Sequence, residues 1–229
     1  MSAIEKDFDR LAQLDDEGWT HNNHYHKFLL RHVPRNCGQA LEIGCGTGAF
    51  ARQLAKLAQH VTALDLSAEM IRVARSRSGP ADHIEYRCVD VMSCDLPNEN
   101  FDCVVTIATF HHLPLRQALA KVKDSVKPGG VLLIVDLFEP ERSLRKVNGW
   151  RDGFLNLAAL GTSGSLRLIH NGRLKAPKEV RAAWDEHGKT DSYPTMENVR
   201  ALCAELLPDA RIRQHLLWRY SIVWRKQQR

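Results

Sequence analysis

The chain has 229 residues, 44% of them hydrophobic, which suits a single globular domain with a sizeable core. Its net charge of +5 is modest, and its Arg and Lys residues are spread along the sequence. The longest aliphatic run, Val131 to Val135, is far too short to span a bilayer, and the polar, acidic start lacks the apolar stretch of a signal peptide, so a cytoplasmic location with no membrane partner is expected. Six scattered cysteines form no C-x-x-C pair, and no metal site is expected from them. Cys88 and Cys103 fall inside predicted strands as small apolar residues.

Helical and strand patterns alternate along the chain, which predicts an α/β sheet. After the polar start, a helix over His24 to Val33 ends at Pro34. Ala40 to Ile43 is predicted as the first strand, followed by a helix with Phe50, Leu54, Leu57 and Ala58 on one face. Val61 to Leu64 is the second strand, and Ser67 is placed to cap the helix after it. Further strands follow at Ile84 to Val89, Phe101 to Ile107 and Val131 to Leu137, with a helix over Leu115 to Val126 stopped by Pro128-Gly129-Gly130. Residues 140–194 carry no strand pattern and read as a mostly helical insertion. Thr195 then caps a last helix, and strands over Arg211 to Leu217 and Tyr220 to Trp224 close the chain. The basic residues among the aromatics of this terminal stretch are a pattern that can mark RNA binding, and they also alternate as on the solvated face of a strand pair, which is the leading reading.

The stretch L-E-I-G-C-G-T-G at 41–48 carries most of the functional information. An apolar strand runs into three alternating glycines and then a helix start, the arrangement of a nucleotide-binding loop. Gly44, Gly46 and Ala49 also satisfy the dinucleotide pattern, so the loop alone does not choose the ligand. Glu42 does: a carboxylate there repels a pyrophosphate but suits S-adenosylmethionine, which carries a sulfonium and an ammonium and no phosphate. Asp65 ends the second strand 21 residues after Gly44, the place for an acid that accepts from ribose hydroxyls. Asp90, ending the third strand, is placed to meet an adenine amino group.

With V-T-A-L-D at 61–65, C-V-D-V at 88–91, F-D-C-V-V-T-I-A-T-F-H-H-L at 101–113 and V-K-P-G-G at 126–130, the chain resembles the class I S-adenosylmethionine-dependent methyltransferases of the ubiquinone/menaquinone type, over roughly residues 24–137. The resemblance implies a Rossmann-like, seven-stranded, mostly parallel sheet with an antiparallel last strand and helices on both faces. One domain is expected: lid helices in 1–36, a cofactor core in 37–139, a helical cap in 140–194 that has no counterpart in the resemblance, and a terminal helix with two strands in 195–229. The resemblance also implies S-adenosylmethionine as cofactor and S-adenosylhomocysteine as product. By position, Glu42, Gly44, Cys45 and Gly46 would hold the methionine end, Asp65 the ribose, Leu66 and Met70 the flanks of the adenine, and Asp90 and Val91 its polar edge. Ala108 would line the methionine side, and Tyr25 would close over the amino-acid end.

Methyl transfer is an in-line displacement in which the protein chiefly orients its reactants. His111 and His112 follow the fourth strand where the acceptor must sit, and one of them, His111 foremost, is expected to position or deprotonate it. Trp150, Phe154, Trp184 and Tyr193 either line an acceptor pocket or form the cap's own small core. The tract His21, His24 and His26 lacks a convergent cysteine or carboxylate and is read as part of the lid. A small-molecule acceptor is the leading expectation, with a homodimer through the insertion as an open option. Three alternatives stand beside it. A nucleic-acid methyltransferase is disfavoured because I-A-T-F-H-H lacks the N/D-P-P-Y/F motif. An NAD-dependent oxidoreductase is disfavoured by Glu42 and by the lack of a Tyr-x-x-x-Lys dyad. A non-catalytic cofactor-binding protein is the third.

Overall fold

A computed structural model describes residues 3–14, 18–80, 83–139, 149–189 and 191–228. Seven strands form one sheet in the order β3-β2-β1-β4-β5-β7-β6. They are β1 (Cys37–Ile43), β2 (Ala58–Asp65), β3 (Ile84–Cys88), β4 (Phe101–Ile107), β5 (Val126–Leu137), β6 (Arg211–Gln214) and β7 (Arg219–Arg225). The first five pair in parallel, and β7 runs antiparallel between β5 and β6. The described helices are α1 (Ala3–Leu14), α2 (His26–Leu30), α3 (Ala51–Leu54), α4 (Ala68–Ser78), α5 (Leu115–Ser125), α6 (Gly149–Asn171), α7 (Lys178–His187) and α8 (Met196–Leu206).

The two-residue period of the strands builds two apolar layers. Leu41, Ile43, Val104, Leu132, Ile134, Tyr220 and Ile222 face one side, where Leu119 and Val122 of α5 and Val199 and Cys203 of α8 cover them. Ala40, Val61, Ala63, Cys103, Val105, Leu133 and Val135 face the other, under Leu29 of α2, Leu54 of α3 and Ile71 and Ala74 of α4. Strands apolar on both faces are what a doubly covered parallel sheet requires. Ser67 caps α4 by accepting from the Met70 amide at 3.0 Å, and Thr195 caps α8 by accepting from Asn198 at 3.2 Å.

Three local expectations change. The helix after the glycine loop shrinks to the four residues of α3, because Ala58 already begins β2. The helix expected over His24 to Val33 is a 3-10 turn at Asn23–Tyr25 followed by the five-residue α2. Cys88 is exposed rather than packed, because β3 lies at the sheet edge. The structure adds α1, which packs Leu11 and Ala12 against Met70 of α4 and Ala183 of α7. Ile4, Phe8 and Leu11 already lie on one helical stripe in the sequence. The insertion is helical where described, in α6 and α7, and no helix among the described residues is long and apolar enough to cross a membrane. In the terminal strand pair Arg211, Arg213 and Arg225 are exposed, whereas Arg219 is only 7% exposed.

Candidate functional site

β1 has β2 on one side and β4 on the other, so the crossover direction of the chain reverses beside it, and open α/β sheets bind ligands at that switch point. A cavity of about 540 Å³ opens there, across the C-terminal ends of β1, β2 and β4 and the loop after β3. Gly44, Gly46, Asp65, Leu66, Met70, Asp90, Val91, Ala108 and His112 all contribute to its wall, together with Trp184 from the cap. Its apolar surface comes from both the sheet and α1, since Ile4 and Phe8 close one side.

The glycine loop is held from beneath. The Gly44 and Cys45 amides both donate to the Leu64 carbonyl, at 2.8 and 2.9 Å, and Gly48 donates to Cys45 at 2.9 Å. Asp65 accepts from the Gly46 amide with one oxygen at 2.8 Å and from the Ser67 amide with the other at 2.9 Å. Four loop amides are therefore committed inside the protein, and a pyrophosphate would find none of them as donors. Gly44 has φ +71°, and a Cβ there would lie 2.1 Å from the Thr109 hydroxyl, so the loop reaches β4 only through a bare Cα. Ala108 also sits at positive φ, +51°, an uncommon conformation for a residue with a Cβ.

Electrostatics favour a cationic ligand. Glu42 is 2% exposed, and its Oε2 has no hydrogen-bond partner. Burial, and after it the nearby Asp65, push its carboxyl well above the ordinary range. Burial also raises Asp65, against the pull of the amides it accepts from. Two adjacent acids held at a cost are relieved by a positive charge, not by a phosphate. Both the bare-Cα loop and the orphaned acid thus fit S-adenosylmethionine.

Beyond the loop, a turn at Phe110–His112 carries the paired histidines. His111 Nδ1 lies 2.6 Å from Asp136 at the end of β5, and the other Asp136 oxygen accepts from the Phe110 and His111 amides at 2.7 and 3.2 Å. His112 Nδ1 is 3.3 Å from Asp191, which accepts from the Tyr193 hydroxyl at 2.9 Å. Burial, and next the His111 ring, pull His112 down to about 4, so it is neutral at pH 7. Burial, then Asp191, push Tyr193 up to about 12.

The structure does not bring every expected residue to the wall. Tyr25 is buried with its hydroxyl donating to the Leu216 carbonyl, so it braces the β6–β7 turn. Glu42 and Cys45 lie under the loop, and burial pushes the Cys45 thiol well up, as for an inert packing residue. The side chains of Trp150 and Phe154 lie outside the described residues. His21 contacts Ser163 at 2.7 Å and His26 contacts Gln53 at 2.9 Å, so the N-terminal histidines part rather than converge. Asp136, Asp191, Thr109 and Phe8 were not anticipated. Asp136 had a signal, an acid ending an apolar strand; Asp191 had none, lying 80 residues from His111.

Residues 41–134 match the family described as "Methyltransferase domain". An uncharacterized methyltransferase of Mycobacterium bovis is 32% identical over 214 residues, covering 92% of this chain and 98% of that protein. The chain belongs to the class I S-adenosylmethionine-dependent methyltransferases. Among its relatives this methyltransferase is similar to the ubiquinone biosynthesis O-methyltransferase of Xylella fastidiosa, 27% identical over 168 residues, covering 70% of this chain and 63% of that one. The N-methyltransferase NodS of Bradyrhizobium japonicum, solved with S-adenosylhomocysteine, shares the methyltransferase's fold with a TM-score of 0.63 at 20% identity, covering 98% and 99% of the two chains. The DhpI complex with S-adenosylhomocysteine gives a TM-score of 0.61 at 21% identity, covering 99% and 98%. S-adenosylmethionine is the methyltransferase's cofactor.

Proposed function

We propose that this enzyme methylates a small molecule with an apolar body and a protic nucleophile, an O–H or N–H group. The cofactor supplies an activated methyl group; the chain's own residues bind, orient and exclude water. Gly44, Gly46, Asp65, Leu66, Met70, Asp90, Val91 and Ala108 are assigned to the cofactor, on the strength of their place in the cavity wall. Phe8, Leu113 and Trp184 give the acceptor an apolar surface at the cap side. The single observation that carries the reading is that His112, in the wall of this otherwise apolar cavity, packs its ring at 3.8 Å on that of His111, which is fixed on Asp136 behind the wall. Asp136 accepts the Nδ1 proton, so His111 Nε2 holds a lone pair that can take a proton from the acceptor. The O-methyltransferases among the relatives support a small-molecule acceptor. Residues 1–36 as lid and 140–194 as cap remain part of the same proposed single domain.

Calorimetric titration with S-adenosylmethionine, S-adenosylhomocysteine and NADH in parallel tests the binding assignment. Micromolar binding of both adenosyl ligands, lost in Asp65→Ala, is expected; binding unchanged in Asp65→Ala would sink the assignment of that residue. A panel of phenols, amines and carboxylic acids with labelled cofactor then tests the acceptor class. Transfer only to an RNA or protein preparation would overturn it.

A further inference from the structure

Among the described polar contacts of the insertion, Asp191 faces the histidine turn at the end of β4. We propose that His111, His112 and Asp191 form a binding site for one divalent ion of the zinc and cobalt class. One donor atom from each lies within 4.8 Å of the others. His111 Nε2 is 3.9 Å from Asp191 Oδ2, and His112 Nδ1 is 3.3 Å from Asp191 Oδ1. These side chains are 4%, 9% and 6% exposed.

At 3.9 and 3.3 Å the spacing is longer than that of a charge-assisted hydrogen bond and close to that of ligands around one ion. An imidazole N–H donating to a carboxylate closes to about 2.7–2.9 Å. Metal–ligand bonds of about 2.0–2.1 Å set tetrahedral edges of about 3.3 Å. Asp136 accepts the His111 Nδ1 proton at 2.6 Å, so in the neutral tautomer it is the Nε2 lone pair that faces Asp191. Asp191 also accepts from the Tyr193 hydroxyl at 2.9 Å and has His187 Nε2 3.8 Å from its Oδ2, and a cation shared between its carboxylate and the His111 and His112 nitrogens would satisfy all three.

The supporting groups also suit a metal. A ligand histidine held by a carboxylate through its other nitrogen is the usual outer arrangement of a metal site, and Asp136 is itself fixed by the amides of Phe110, His111 and Leu137. Two imidazoles and one carboxylate select zinc or cobalt over magnesium or calcium, which prefer all-oxygen shells. Three protein ligands leave a position open, and one of the three, His112, forms part of the cavity wall. The site itself rests on geometry alone. Its effect on turnover rests on the proposed role of His111: the lone pair that would take the acceptor's proton is the one an ion would occupy, so the ion inhibits.

The full chain, stripped with chelator and titrated with cobalt(II), should take up one ion and develop the visible d–d absorption of a four-coordinate site, which zinc abolishes by displacement. Asp191→Asn and His112→Gln should each weaken cobalt affinity by at least about 10-fold, and Asp136→Asn by about 10- to 100-fold. His24→Gln should bind as the wild type does. Far-ultraviolet circular dichroism and cofactor affinity check that each variant is folded. No stoichiometric uptake, a zinc absorption spectrum with sulfur in its shell, or undiminished binding in folded Asp191→Asn and His112→Gln would each overturn the site. Full methyl transfer with the ion bound would instead remove the proton-accepting role of His111 while leaving the site standing.

Discussion

Asp136 holds His111 at 2.6 Å through one oxygen and the backbone of the same turn through the other. One buried carboxylate thus fixes both where the imidazole ring lies and which nitrogen keeps its proton. In Asp136→Asn the amide can accept through only one atom, so either the ring or the turn loses its partner. Methyl-transfer kcat is expected to fall by about 100-fold, within the range for lost general-base help. Cofactor affinity should change by no more than about threefold, because Asp136 is not part of the cofactor cavity's wall. A matched fall in cofactor affinity would mean that the residue only holds the fold.

Gly44→Ala tests the loop by sterics. The added methyl would sit 2.1 Å from Thr109 Oγ1 at a backbone φ of +71°. We expect calorimetric affinity for S-adenosylhomocysteine to drop by more than about 10-fold, with a fall in thermal stability of about 1–3 kcal/mol. A variant binding as tightly as the wild type would show that the loop does not shape the site.

Glu42→Gln separates binding from stability. The wild-type acid has a folded pKa raised above its unfolded value, so its contribution to stability is lost as pH rises from about 4.5 through that higher pKa. Replacing it by a neutral amide removes this loss, and the cofactor-free melting temperature at pH 8 should rise. Affinity for the cationic S-adenosylmethionine should fall by about 10-fold, more than that for neutral-sulfur S-adenosylhomocysteine. Equal losses for both ligands would place the carboxylate's effect elsewhere.

Tyr25→Phe addresses an expectation the geometry redirects. Its hydroxyl donates to the Leu216 carbonyl, next to Leu217 and Trp218, both at positive φ. The variant should lose about 1 kcal/mol of stability in urea unfolding, the ordinary net worth of one hydrogen bond. Cofactor affinity should stay within about twofold; a larger loss would return Tyr25 to the binding site.

The sheet was legible because its strands alternate or run apolar under two covering layers, so β4 came out at Phe101–Ile107 in both readings. The cavity wall was legible for a related reason: Gly44, Asp65 and Asp90 follow or end consecutive strands, and strand ends lie together in a parallel sheet. Ligand-side roles within that wall were less so. Whether Cys45 or Glu42 points into the cavity or beneath it depends on loop torsions that residue identity does not encode. Asp191 was invisible for a different reason: its meeting with His111 is made by the packing of cap on core, and no local period records such a contact.

Acid stability is set in part by His26. It is buried, contacts the edge of Phe50 and takes a hydrogen bond from Gln53 at 2.9 Å. Burial lowers it from 6.5 to about 4. The folded pKa lies below the unfolded one, so the unfolded chain binds the proton more readily. Stability is full above about pH 6.5 and is lost as pH falls toward about 4. Between pH 7 and pH 5 this one group should remove about 2 kcal/mol. Raised carboxyls such as Glu42 and Asp65 act in the opposite sense, so the bare wild-type curve mixes both. His26→Asn keeps an acceptor for Gln53 but cannot titrate. Urea unfolding of both proteins at pH 7 and pH 5 isolates the term: the wild type should be the more stable at pH 7, and its advantage should shrink by about 2 kcal/mol at pH 5. An advantage independent of pH would show that His26 takes up its proton inside the folded protein as readily as outside it.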